Sequence, residues 1–173
     1  MDVFQISLVL KPESRKTIQA SLKGDVCIIR YPQPWSARKK YLLPMIDQIY
    51  WRLLGRLYNP RLKLRTAELN RAYFSFDYRD VRYHRQFRRW GSCSALKNIN
   101  LSHRLIGAPG HLTDYVIIHE LAHIQYLNHG KEFWGLVGST GVNPKIMRKE
   151  FEMYGYSWLN SYRQWCQQLL KLV

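Results

Sequence analysis

The chain is poor in cysteine, in long apolar runs and, over residues 1–108, in acidic side chains. Its three cysteines, Cys27, Cys93 and Cys166, are odd in number, far apart and form no C-x-x-C pair. That excludes a disulfide framework and a cysteine-ligated zinc site, and points to a reducing compartment. No segment offers the ~20 uninterrupted apolar residues of a membrane helix, and the opening MDVFQISLVLKPESRK lacks the basic leader and apolar stretch of a secretory signal. A cytoplasmic protein with no membrane span is the expectation. Repeats, low-complexity tracts and linkers are also missing, so 173 residues suit a single domain, 1–173.

What the chain does have is apolar material, at 46% of residues with six Trp, twelve Tyr and six Phe, enough to bury a core. It also has positive charge, with 27 Lys and Arg against 12 Asp and Glu. The surplus is uneven. Residues 1–108 carry 21 basic and 7 acidic side chains, residues 109–173 only 6 and 5. Such a field attracts nucleic acid or another polyanion through the basic N-terminal part, but selects none of them by itself.

The pattern along the chain is α+β. KTIQASLKGDVCIIRYP alternates and breaks at Lys23-Gly24-Asp25, which predicts an opening β-hairpin. From Ser36 to Tyr58 the apolar positions recur at helical spacing, with Pro60 as the expected stop. Residues 62–90 favour strands, GSCSALKN a loop, and INLSHRLI extended structure. A helix follows, with Thr113 and Asp114 suited to its first turn and apolar content through Leu127. KEFWGLVGST, NPKIMRKEFEMYG and SWLNSYRQWCQQLLKLV read as further helices. The expected layout is a strand-rich basic part, 1–108, and a helical part, 109–173.

The chemistry concentrates in DYVIIHELAHIQYLNHGKEFW, residues 114–134. His119 and His123 are four apart, so on a helix they share one face one turn apart, where two imidazoles can bind one ion. Glu120 projects about 100° round from His119, beside the ligands, where a carboxylate can serve a metal-bound water as general base. This is the H-E-x-x-H arrangement, which six His and six Glu in 173 positions would produce by chance about once in a hundred such sequences. A tetrahedral hydrolytic zinc needs a third protein ligand. His129 is the nearest candidate, with Glu132 next, and it can reach the ion only if the chain turns. Asn128 and Gly130 tolerate the left-handed conformation that ends a helix, so a stop after Leu127 is expected to swing His129 back. The ordinary alternative makes the histidines core residues and Glu120 a surface carboxylate. Val116, Ile117, Ile118, Leu121 and Ala122 argue against it, because polar groups among them need partners.

RWGSCS at 89–94, INLSHRLIGAP at 99–109 and residues 114–134, with the early SRKTIQASLKGDVCIIRYP, resemble the YgjP-like metallopeptidase domain, a zincin-type family akin to SprT-like proteases. The resemblance implies a small zincin-like fold, with an N-terminal β-hairpin and antiparallel sheet, an active-site helix and a C-terminal helical part. It also implies zinc on His119, His123 and His129, and peptide-bond hydrolysis of a peptide or protein substrate with Glu120 as base. Arg89, Ser92 and the Gly91–Ser94 backbone become neighbours of that site. The chain departs from the family pattern at His103, where Trp is usual, and at Gly130, where Ser is commoner. Tyr126 replaces the glycine of the metzincin turn, so the chain is not assigned there. Cys93 is read as structural, and Trp90 and Trp134 as core or pocket wall. The competing function is a basic nucleic-acid-associated protein, either a protease acting on nucleic-acid-bound proteins or a binding module with a structural zinc. Glu120 has no use in a closed four-ligand site.

Overall fold

The computed structural model describes residues 6–24 and 26–172. It divides into two compact units, Met1–Leu54 with Ser157–Val173, and Gly55–Tyr156. The first contains a three-stranded sheet of β1 (Ser7–Glu13), β2 (Gln19–Lys23) and β3 (Val26–Pro32), in the order β1-β3-β2. The expected hairpin is β2–β3, antiparallel with Lys23 opposite Val26 and Gly24 at φ +55°. Asp25 of that turn lies outside the described residues. The expectation of an antiparallel sheet needs correction, because β1 runs parallel to β3. VCIIRYP is the most apolar strand, with Cys27, Ile29 and Tyr31 buried, so it takes the centre and a neighbour on each side. Leu42, Ile46, Tyr50, Trp51 and Leu54 of the first helix, with Trp158, Trp165 and Leu169 of the last, are buried in the same unit. Buried Asp47 accepts hydrogen bonds from Trp51 Nε1 and the Tyr162 hydroxyl, each at 3.0 Å.

The second unit repeats the mixed topology. Strands β4 (Asp80–His84), β5 (Gly91–Cys93) and β6 (Asn98–Ser102) are ordered β4-β6-β5, with β4 parallel and β5 antiparallel to β6. Helix α2 (Gly110–Ala122) packs against β5, β6 and α3 (Lys131–Ser139). The core joins Leu62 and Leu69 to Val81, Ile99 and Leu101 of the sheet and to Val116, Ile117, Ile118 and Leu121 of α2.

Several boundaries differ from the sequence expectations, for identifiable reasons. The first helix, α1 (Lys39–Tyr73), does not end at Pro60. An internal proline costs ~3 kcal/mol. Beyond it Leu62, Thr66 and Leu69 are buried at helical spacing, and burying apolar side chains at ~1.5–3 kcal/mol each offsets that cost. The strands expected over 62–90 therefore begin only at Asp80, and part of the expected loop is strand β5. The two last helices are one, α4 (Pro144–Leu172), because Gly155 inside a helix costs only about 1 kcal/mol relative to Ala.

Candidate metal centre

Helix α2 starts at Gly110 after Pro109, three residues before the expected first turn, and is tied to α1 by a two-pronged contact. Arg65 Nε and Nη2 donate to the two oxygens of Asp114 at 2.8 and 2.7 Å. The helix also stops earlier than expected, at Ala122, with His123 as its C-cap at φ −66° and ψ −15°. Beyond it the backbone tightens to i→i−3 bonds, Ile124 N–H donating to Leu121 O at 2.9 Å and Gln125 N–H to Ala122 O at 3.1 Å. The left-handed stop expected at Asn128–Gly130 is not used: Gly130 is extended, at φ −74° and ψ −173°. His123 itself closes the turn, its Nδ1 lying 3.0 Å from the carbonyl oxygen of Tyr126. A carbonyl can only accept, so Nδ1 carries the proton and Nε2 keeps its lone pair.

This early turn brings the third imidazole back. The ring of His129 lies 5.0 Å from that of His119 and 4.7 Å from that of His123, centre to centre. Nε2 of His129 is 3.0 Å from Nε2 of His119, and one ligating atom from each histidine lies within 4.8 Å of the other two. Nitrogens bound to a tetrahedral zinc at ~2.0–2.1 Å stand about 3.3 Å apart, so the three are gathered to about the spacing of one ion. Burial, with the neighbouring His123 and His129, pushes His119 down to about 3, and His123 is lowered for the same first reason. Burial therefore keeps these two rings neutral, which is the form that donates a lone pair to a cation. Glu132, the alternative third ligand, is exposed and outside this group.

Phe133, fully buried in α3, forms the floor. Its ring is 4.9, 4.7 and 4.7 Å from His119, His123 and His129, and Trp134 stacks on His129 at 5.5 Å. Trp134 is thus a wall of the site, as its sequence context suggested. Phe133 carries no polar signal that could have singled it out.

Glu120 is buried at 5% exposure, which removes the surface-carboxylate alternative. It faces the edge strand β5. Trp90 O accepts from Ser102 N–H and Ser94 N–H donates to Asn98 O, so the backbone groups of Gly91 and Cys93 between them turn to the outer edge. There the Cys93 N–H donates to the Glu120 carboxylate. A Cβ on Gly91 would lie 2.4 Å from Glu120 Oε1 and 2.7 Å from both Glu120 Cγ and Val116 Cγ1. Burial pushes the Glu120 carboxyl up to about 8, against the pull of the Arg89 charge and the Cys93 N–H. Gly91 and Cys93 are thus neighbours of Glu120, and the Arg89 charge reaches it.

His103, the extra imidazole, does not join the triad. It is buried in a 3-10 turn after β6 with its ring 5.1 Å from Phe87, and burial pushes it down to about 3. Cys93 is half-buried, and burial raises its thiol, which opposes a nucleophilic role. Trp90 packs against Phe151 and Tyr154 under the Arg104 guanidinium, as core rather than stacking platform.

An α+β unit that gathers three imidazoles, with a buried glutamate next to the first of them in sequence, fits the metallopeptidase class, and the family comparison agrees. Residues 5–153 match the family described as YgjP-like, metallopeptidase domain, and the chain belongs to that family. Among solved structures it is similar to the metallopeptidase zymogen jannalysin of Methanocaldococcus jannaschii. The two are 22% identical, with 57% of this chain and 96% of that one covered and a TM-score of 0.46. No curated protein matches. No helix among the described residues is long and apolar enough to cross a membrane.

Proposed function

We propose that this chain is a zinc-dependent peptidase that hydrolyses peptide bonds, with His119, His123 and His129 as the metal ligands and Glu120 as the general base. The observation that carries the reading is the gathering of the three imidazole nitrogens within 4.8 Å of one another. A nitrogen-only set of three imidazoles suits zinc and leaves a coordination position open, as a hydrolytic site requires. Bound there, zinc would supply Lewis acidity, polarising the scissile carbonyl and acidifying water.

The remaining work falls to the protein. Nδ1 of His123, fixed on the Tyr126 carbonyl, orients its ring so that Nε2 faces inward. Phe133 and Trp134 fill the space behind the imidazoles and keep water from competing for them. Glu120 must be ionised to take a proton from the attacking water. A divalent charge at the histidines would draw its pKa down from the burial-raised value and so favour the ionised form, and the Arg89 charge and Cys93 N–H act in the same direction. After attack, the carboxyl delivers the same proton to the departing amine. The cysteines Cys27, Cys93 and Cys166 are free thiols, which supports a reducing, cytoplasmic setting.

The test is metal content of the purified protein by mass spectrometry. Wild type should hold one zinc per chain, and His129→Ala should lose most of its affinity. Stoichiometric zinc in His129→Ala at unchanged affinity would assign the third ligand elsewhere.

A further inference from the structure

The segment from Val81 to Thr113 contains no Asp or Glu, yet carries Arg82, Arg85, Arg88, Arg89, Lys97 and Arg104. Two of these cations serve the fold. Arg82 donates to Asn100 Oδ1 at 3.1 Å, and Arg104 donates to Phe87 O at 2.7 Å while lying 3.5 Å over the Trp90 ring. Arg88, Arg89 and Lys97 are exposed, and none is in a salt bridge among the described residues.

The backbone that carries them is tied down by hydrogen bonds. Arg88 and Arg89 sit on a corner pinned at both ends. Before it, Ser102 Oγ donates to Gln86 O and Arg104 to Phe87 O, each at 2.7 Å; after it, Ser102 N–H donates to Trp90 O at 2.7 Å. Lys97 follows β5, in the turn where Lys97 N–H donates to Ser94 O at 2.8 Å. The strand between is β5, whose outer edge meets Glu120 through Gly91 and Cys93. Exposed cations in no salt bridge among the described residues thus flank, on both sides in sequence, the strand that borders the proposed general base, and the charge of one of them, Arg89, already acts on Glu120.

We propose that Arg88, Arg89 and Lys97 select peptide substrates with an acidic side chain close to the scissile bond. The inference rests on the peptidase reading and names its substrate class. Three cations flanking one short strand match one or two carboxylates on an extended peptide, whereas a nucleic acid follows a long cationic track. A pinned backbone limits the ordering cost of binding to the side chains themselves.

The test uses the zinc-loaded full chain and fluorogenic peptides of equal length, neutral or with one Glu or one Lys at successive positions around the bond. At low salt, kcat/KM for the best Glu peptide should exceed that for the neutral peptide by about tenfold, and the ratio should shrink as salt is raised. Arg88→Gln and Lys97→Gln should each lower that ratio severalfold, and Arg88→Glu should turn the preference toward Lys peptides. Lys145→Gln, which removes an exposed cation from α4, should leave the ratio as it is. Cleavage of neutral and Glu peptides at equal kcat/KM would overturn the inference and leave the peptidase reading standing. Cleavage of no peptide of any charge would overturn the peptidase reading itself. A single-stranded oligonucleotide whose binding is lost in Arg88→Gln, with the peptide ratio unmoved, would assign the corner to nucleic acid and also overturn it.

Discussion

Gly91 and Glu120 touch so closely that the strand residue has no room for a side chain: a Cβ there would stand 2.4 Å from one carboxylate oxygen and 2.7 Å from the Cγ behind it. The carboxylate tip can rotate away, but Cγ and Val116 Cγ1, also at 2.7 Å, are held in the core. Gly91→Ala should therefore displace Glu120, destabilise the protein by about 1–3 kcal/mol as overpacking does, and cut turnover on the order of a hundredfold. Zinc content should stay at that of wild type, because the atoms a Cβ would meet first belong to Glu120 and Val116 and not to a histidine. Loss of metal together with activity would mean that the strand supports the triad rather than the glutamate.

Phe133 ties the three histidines to the core. Phe133→Ala should cost ~3–5 kcal/mol as a buried aromatic truncation and weaken zinc binding, whereas Phe133→Leu should cost less and keep the metal. Thermal melts with and without zinc, with a zinc competition titration, separate the two effects. Equal zinc affinity in wild type and Phe133→Ala would contradict the floor assigned to it.

The polar triplet on α2 was legible because it obeys a local rule, the helical period that sets His119, Glu120 and His123 side by side. His129 was legible as a residue type, but its route was not. The turn depends on the His123 side chain bonding the Tyr126 carbonyl, a contact no backbone propensity encodes. Phe133 was missed for a related reason, since it meets α2 through tertiary packing and a phenylalanine in an apolar helix has no distinguishing pattern. Gly91 was placed near the site by the family resemblance alone, without the close approach to Glu120 that excludes a side chain there. The early hairpin followed from its glycine turn, while the parallel pairing of β1 with β3 and of β4 with β6 depends on which strands the core places at the centre. Pro60 misled for the opposite reason: the local rule was sound, and burial of the helix beyond it outweighed the rule.

The Arg65–Asp114 contact looks strong in geometry and should be weak in energy. Arg65 is about half exposed, so water and salt screen the pair, and a double-mutant cycle with Asp114→Asn should give a coupling of ~0.2–1 kcal/mol. Zinc content and turnover should change little in Arg65→Met. A coupling of several kcal/mol would mean that the start of α2 is set by this pair rather than by packing of Leu112, Val116 and Ile117.

His103 gives the protein an acid sensitivity independent of metal. Its folded value near 3 lies below the 6.5 of an exposed imidazole, so between those values the unfolded chain binds a proton that the folded one refuses. Stability should fall as pH drops through that window, by about 1.4 kcal/mol per pH unit for this one group. In protein stripped of metal, His103→Gln should show a shallower decline in denaturation midpoint from pH 6 to pH 4 than wild type. Parallel declines would place the sensitivity elsewhere.

The most direct test of the account is Glu120→Gln, which keeps the shape of the side chain and removes its capacity to take a proton. Zinc stoichiometry and peptide turnover should be measured on the same preparation. The account requires one zinc per chain, as in wild type, with turnover reduced by at least about a thousandfold. Turnover near that of wild type with zinc in place, or loss of the zinc itself, would contradict it.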